Sequence, residues 1–269
     1  MSDAKEGLVS TRAGLARAII LGIFAGFLSG LFGVGGGILI VPVLVLALKM
    51  DQRLAHGTSL AAVLPIAFSG LVGFAVEDSV DWPAALALTV GAILGALIGT
   101  HALHVLPVSV LARAFAGVLL ISAIRLVLDH SSGTGRPEMD VVMVVGLGLV
   151  GLCAGTLAGL LGVGGGVVMV PAMVIFFGIP AAVAKGTSLG VIIPTSIVAT
   201  RRNLKNGHAD LQVALAVGLS GVVSSYLASK VSVGLDERTS NILFAVLLTV
   251  AAVRLLLKDR TAVSSEPAT

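Results

Sequence analysis

Two glycine runs are the residues best suited to chemistry. Gly33-Val34-Gly35-Gly36-Gly37 recurs 129 residues later as Gly162-Val163-Gly164-Gly165-Gly166, and each run is followed five residues on by a proline, Pro42 or Pro171. Each glycine costs a helix about 1 kcal/mol and admits positive φ, so a helix should break at both runs. A short helix restarting at Gly37 or Gly166 would aim unsatisfied N–H groups and the positive end of its dipole at whatever lies before it, which favours an anion. Gly35, Gly36, Gly37, Gly164, Gly165 and Gly166 are therefore candidate anion contacts. A tight turn outside a membrane would use the same residues, but the matched prolines favour a helix break. A nucleotide-binding loop is excluded: no Lys-Ser or Lys-Thr follows the glycines, and no βαβ context surrounds them.

A second doubled motif follows, Gly57-Thr58-Ser59 and Gly186-Thr187-Ser188. Thr58, Ser59, Thr187 and Ser188 can cap a helix or donate to a ligand, and the sequence leaves both roles open. Lys185 precedes the second copy where His56 precedes the first. It is the one cation placed to face a substrate, with snorkelling to a lipid interface as the competing role. Pro65 and Pro194 recur in the middle of apolar segments and should bend them; with Pro42 and Pro171 they are expected helix-break positions. His56, His101 and His104 are the candidate proton carriers, since every Asp and Glu falls in a loop or at a segment end. The single cysteine, Cys153, sits in an apolar stretch, forms no internal disulfide and is expected to pack; no metal-ligand spacing and no cofactor motif occur. A His-Glu-x-x-His helix, paired intramembrane aspartates and a Ser-His pair are missing, so no enzymatic activity is expected.

These motifs belong to a duplication. Residues 22–128 align with the second half at a shift of 129 without a gap, and from 25 to 65, 19 of 41 positions are identical. The chain is 57% hydrophobic and 12% charged, with a mean hydropathy of +1.08, an apolar excess that a soluble domain of this size does not need. Eight stretches, 17–34, 55–76, 82–104, 110–128, 140–162, 184–200, 210–229 and 240–257, approach the length needed to cross ~30 Å of hydrocarbon. Two more, 38–50 and 167–178, are apolar but short, and either span or re-enter. Glycine ladders at Gly22/Gly26/Gly30, Gly91/Gly95/Gly99 and Gly151/Gly155/Gly159 let helix backbones approach closely.

The expected fold is an all-α integral membrane protein of two inverted-topology repeats. Each holds about five apolar helical segments, including one glycine-broken or re-entrant pair. The expected organisation is a polar N-terminal segment 1–16, a first repeat 17–129, a Gly/Ser/Pro linker 130–140, a second repeat 141–258 and a polar tail 259–269. With the N-terminus cytoplasmic and ten crossings, 12 basic residues lie inside against 5 outside, Lys185 among the five. The loop 72–81 carries Glu77, Asp78 and Asp81 and no base, whereas its counterpart 201–210 carries three bases, so the two should lie on opposite faces. Five segments per half require the second half to be upside down. Arg125 and Arg254 fit snorkelling positions, and Asp81 and Trp82 fit an interface.

The pattern GFLSGLFGVGGGILIVP with HGTSL, repeated as GTLAGLLGVGGGVVMVP with KGTSL, resembles the TauE/SafE family of sulfite and organosulfonate transporters over about 17–258. The resemblance implies a multi-pass carrier of the cell (cytoplasmic, or inner) membrane. It would work as an exporter of a small sulfur-containing anion such as sulfite or an organosulfonate, alternating access around a midplane site formed by both repeats. An anion channel, or a carrier of another small carboxylate or oxyanion, is the alternative. The expected partners are the anion and the lipid bilayer, not nucleic acid; assembly into a homo-oligomer is left open.

Overall fold

The computed structural model describes residues 12–102, 108–128, 139–161 and 165–263. Gly162, Val163, Gly164 and His104, with most of the N-terminal segment and linker and the last six residues of the tail, lie outside the described residues. The described chain is helical throughout. The first half contains α1 (Arg12–Phe32), α2 (Gly37–Ala47), α3 (Gln52–Val76), α4 (Trp82–Ala102) and α5 (Val108–Leu128). The second contains α6 (Val141–Leu161), α7 (Gly166–Phe177), α8 (Ala181–Lys205), α9 (Leu211–Ser220), α10 (Val222–Gly234) and α11 (Glu237–Val263). By length and composition α1 (as Ala13–Phe32), α3 and α8 can each cross a membrane, as can α9 and α10 taken together.

The second half holds one more helix than the sequence suggests. The apolar stretch 210–229 is two helices, α9 and α10, bent by 42° at Gly221. Gly221 allows the bend, and Ser69 on α3 draws the neighbouring carbonyl of Val222 toward itself, its Oγ donating over 2.6 Å. The four helix-internal prolines do not interrupt their helices. Pro42, Pro65, Pro171 and Pro194 each lie inside a helix that continues past them; the interruption between α1 and α2 lies at the glycines instead. Each proline removes one N–H from the ladder, and packing of neighbouring helices holds the helix together around the loss.

The two halves interlock. α4 packs along α6, α1 runs along α9 and α10, α5 pairs with α11, and α3 faces α8. A Cβ on Gly22 would stand 2.1 Å from the Val217 carbonyl oxygen, and one on Gly151 would stand 2.2 Å from that of Leu88. Gly26 faces the Gly221 oxygen at 2.2 Å, and Gly155 faces that of Ala92 at 2.1 Å. Each pair of contacts is related by the shift of 129 with the halves exchanged. The glycine ladders are thus close-approach surfaces where backbone meets backbone. Outward faces carry large apolar side chains, including Phe24, Phe68, Leu86 and Phe176, as lipid-facing helices do. Cys153 is exposed on α6 rather than packed.

Candidate functional site

Gly33, Gly35 and Gly36 all sit at positive φ, 69°, 74° and 75°, a backbone that other residues enter only at a cost of roughly 1–2 kcal/mol. The break between α1 and α2 follows. Gly36 caps α2 in the left-handed conformation, without a side-chain hydrogen bond. In the second half Gly165 caps α7 from the right-handed region, φ −68°, again without a side-chain cap. Gly35, Gly36, Gly37, Gly165 and Gly166 are all buried. Among the described residues nothing accepts the N–H groups of Gly37, Ile38, Gly166 or Val167. Among the described residues, the first turns of both short helices thus present buried donors without an acceptor.

The two breaks meet. A Cβ on Gly166 would lie 2.7 Å from the Gly33 carbonyl oxygen and 3.0 Å from Val34 Cα. A Cβ on Gly33 would lie 2.6 Å from both Cα and the carbonyl oxygen of Lys185. The start of α7, the glycine segment of the first half and the second Gly-Thr-Ser motif form one packed knot. Ser188 ties it: its Oγ lies 2.5 Å from the Gly33 carbonyl and 2.7 Å from that of Lys185, and one proton serves both acceptors. Its repeat mate Ser59 is equally buried, and its hydroxyl has no partner among the described residues. Ser29 of α1 is buried in the same condition.

Thr58 and Thr187 span the halves. Thr187 Oγ1 accepts from the backbone N–H of Asp81 at 2.9 Å, and Thr58 Oγ1 accepts from that of Asp210 at 2.9 Å. The two bonds are repeat images with halves exchanged. Each aspartate in turn caps the following helix: Asp81 accepts from Ala84 N at 2.9 Å, and Asp210 from Gln212 N and Val213 N at 3.0 and 3.1 Å. Asp81 is buried at this junction while its neighbour Trp82 is exposed. Beside the threonines, Gly57 and Gly186 abut the carbonyls of His208 and Ser79, where a Cβ would meet oxygen at 1.9 and 2.1 Å. The Gly-Thr pair fastens the third segment of each half to the loop before the fourth segment of the other.

Lys185 does not snorkel. It is 1% exposed, and its Nζ donates to Ser232 Oγ at 3.1 Å and Ser240 Oγ at 2.5 Å. The Phe32 ring centroid lies 5.8 Å from Nζ, and Phe32 stacks on Phe244 with centroids 5.7 Å apart. Among the described residues no carboxylate pairs with it. A buried cation without a counter-charge is costly in any fold and more so in a bilayer, which makes Lys185 a candidate functional group. His56, its mate, is half-buried with Nε2 3.5 Å from Gln52 Nε2.

Ser232, Ser240, Phe32 and Ser29 are candidate site residues that the sequence motifs do not mark. One signal was available: Ser225, Ser229 and Ser232 recur at helical spacing on one face of α10, and their mates in the first half are Ala96, Thr100 and Leu103. A stripe of three serines aligned with one threonine and two apolar residues in the other repeat is an asymmetry that the alignment contains but the shared motifs hide.

The model of a family described as sulfite exporter TauE/SafE matches residues 3–126 and 147–269. The chain is 25% identical over 262 residues to a probable membrane transporter protein, YunE, of Bacillus subtilis, covering 88% of this chain and 96% of that one. It is 26% identical over 258 residues to the probable membrane transporter protein MJ0441 of Methanocaldococcus jannaschii, covering 90% and 96%. A third relative, the probable membrane transporter protein YdhB of Bacillus subtilis, is 36% identical over 118 residues, 42% of this chain and 48% of that one.

Proposed function

This chain belongs to the TauE/SafE sulfite exporter family, a membrane transporter and not an enzyme, and from that premise we propose that it carries a small sulfur-containing anion, sulfite or an organosulfonate, outward across the cytoplasmic membrane. The observation that carries the reading is the meeting of the two glycine breaks beside Lys185. Buried helix N-termini offer unpaired N–H donors and positive dipole ends. A sulfur oxyanion has several acceptor oxygens, which suit many donors at fixed positions. In this reading Gly35, Gly36, Gly37, Gly165, Gly166, Ser59 and Ser188 contribute to the site, with Lys185 supplying the charge.

The two halves are inverted repeats in this proposal, with the N-terminus in the cytoplasm. Contacts that recur with the halves exchanged, Thr58 on Asp210 and Thr187 on Asp81, support a two-fold relation between them. The opposite charges of the loops 72–81 and 201–210 support opposed orientations. Alternating access then amounts to one half rocking against the other around the glycine knot, with the Thr–Asp contacts as fixed pins. The test is reconstitution in liposomes with labelled sulfite and a labelled sulfonate. Saturable, protein-dependent flux of at least one is expected; flux of neither refutes the proposal.

A further inference from the structure

We infer that Lys185, Ser240 and Ser232 form the charge-reading end of the anion site, and that this end takes a monoanion in preference to a dianion. The inference rests on the reading of the chain as an anion carrier and adds residues and a charge class to it.

An ammonium has three donors and no acceptor. Two of those on Lys185 go to Ser232 and Ser240, and the third has no oxygen partner among the described residues. Ser232 passes its own proton to the Leu31 carbonyl at 2.8 Å, so its orientation is fixed as an acceptor toward the lysine. The Ser240 proton has no acceptor among the described residues. The cluster therefore holds two free donors, one on Nζ and one on Ser240 Oγ, next to a full positive charge and no carboxylate. Two donors and one charge match two oxygens of a singly charged sulfonate or hydrogensulfite group.

The surroundings sharpen the charge preference. Phe32 and Phe244 wall the cluster, and both are buried, so local screening is weak. One negative charge is compensated by Lys185. A second would enter an apolar interior unpaired, which costs about tenfold or more in affinity. Nζ is sealed from solvent, so the anion reaches it through a movement of α8 against α10 and α11. The first half offers no equivalent: Leu103 and Leu111 are the mates of Ser232 and Ser240, and His56 that of Lys185. The charge-reading end is a property of the second repeat alone.

Equilibrium binding to the purified full chain in detergent tests this, with labelled methanesulfonate, labelled sulfate and uncharged dimethyl sulfone as probes. Methanesulfonate is expected to bind about tenfold or more tighter than sulfate, and dimethyl sulfone not to compete. Lys185→Gln is expected to lose methanesulfonate binding by about tenfold or more, and Lys185→Arg to keep most of it. Ser240→Ala, which leaves the charge in place, is expected to weaken binding about fivefold and decides the matter if Lys185→Gln does not fold. Equal affinity for sulfate and methanesulfonate, no saturable binding of either by folded protein, or affinity unchanged in Lys185→Gln or Ser240→Ala overturns the inference. Liposome flux measured in parallel separates the two readings. Flux that ignores Lys185 refutes the charge-reading end and leaves carriage standing, whereas Lys185-dependent binding without flux supports that end and refutes carriage.

Discussion

Gly36 and its repeat mate Gly165 occupy the same place in the motif and differ in backbone, which makes a pair of alanine substitutions informative. At Gly36, φ is 75° and a Cβ would stand 2.8 Å from the Ala25 carbonyl oxygen of α1. Alanine there costs roughly 1–2 kcal/mol for the left-handed backbone alone, and the carbonyl can yield only if α1 shifts. At Gly165, φ is −68°, a conformation that alanine adopts freely. The nearest atom is Met169 Cε at 2.2 Å, the mobile end of a flexible side chain, and the next is Ala154 Cβ at 3.4 Å. Gly165→Ala should therefore be near neutral, or gain about 0.4–1 kcal/mol from a less flexible unfolded chain. The difference between the variants is roughly 1–3 kcal/mol. Unfolding by SDS in mixed micelles, followed by helical circular dichroism, measures it. Equal destabilisation by the two substitutions, or a larger effect at Gly165, would refute the assignment of the break to left-handed glycines in the first copy.

Thr58→Val and Thr187→Val each strand a backbone N–H, of Asp210 or Asp81, and should each destabilise the protein by about 1–3 kcal/mol in the same titration; loss of anion affinity with unchanged stability would mean that the hydroxyls serve the ligand instead. Gly91→Ala should disrupt the α4–α6 contact, where a Cβ meets the Gly148 oxygen at 2.0 Å, while Gly148→Ala, with nothing within 4 Å, should be tolerated; monodispersity after extraction in detergent reads both outcomes. The ion pair of Lys230 with Glu77 joins α10 to the end of α3 with both side chains partly exposed. Glu77→Gln should therefore cost little stability, and less again in high salt; a large, salt-independent loss would contradict its surface character.

Much of the architecture was legible in the sequence because its signals are local. Apolar runs located the helices except for the division of 210–229 into α9 and α10, glycine ladders marked close approaches, and the Gly-rich runs marked the break before α2. What the sequence hid depends on partners far along the chain. Nothing local distinguishes a snorkelling lysine from a buried one. Lys185 is buried because Ser232 and Ser240, 47 and 55 residues away, come to it. Thr58 and Thr187 read as helix caps or ligand donors, yet their hydroxyls receive N–H groups 152 and 106 residues distant. Cys153 reads as core because its helix is apolar, but a helix facing lipid is apolar on its outer side too, so composition alone cannot assign the face. The prolines suggested breaks that the helices do not make, since surrounding packing can hold a helix through one missing N–H.

The central claim is that an anion sits where the two glycine breaks meet, against Lys185. Crystallographic location of bromomethanesulfonate by the anomalous signal of bromine tests it most directly. The expected result is a single strong peak beside Lys185 and the Gly33–Gly37 and Gly166 segments, with the sulfonate oxygens within hydrogen-bond reach of Nζ, and its loss in Lys185→Gln. A peak elsewhere in the bundle that survives Lys185→Gln would contradict it.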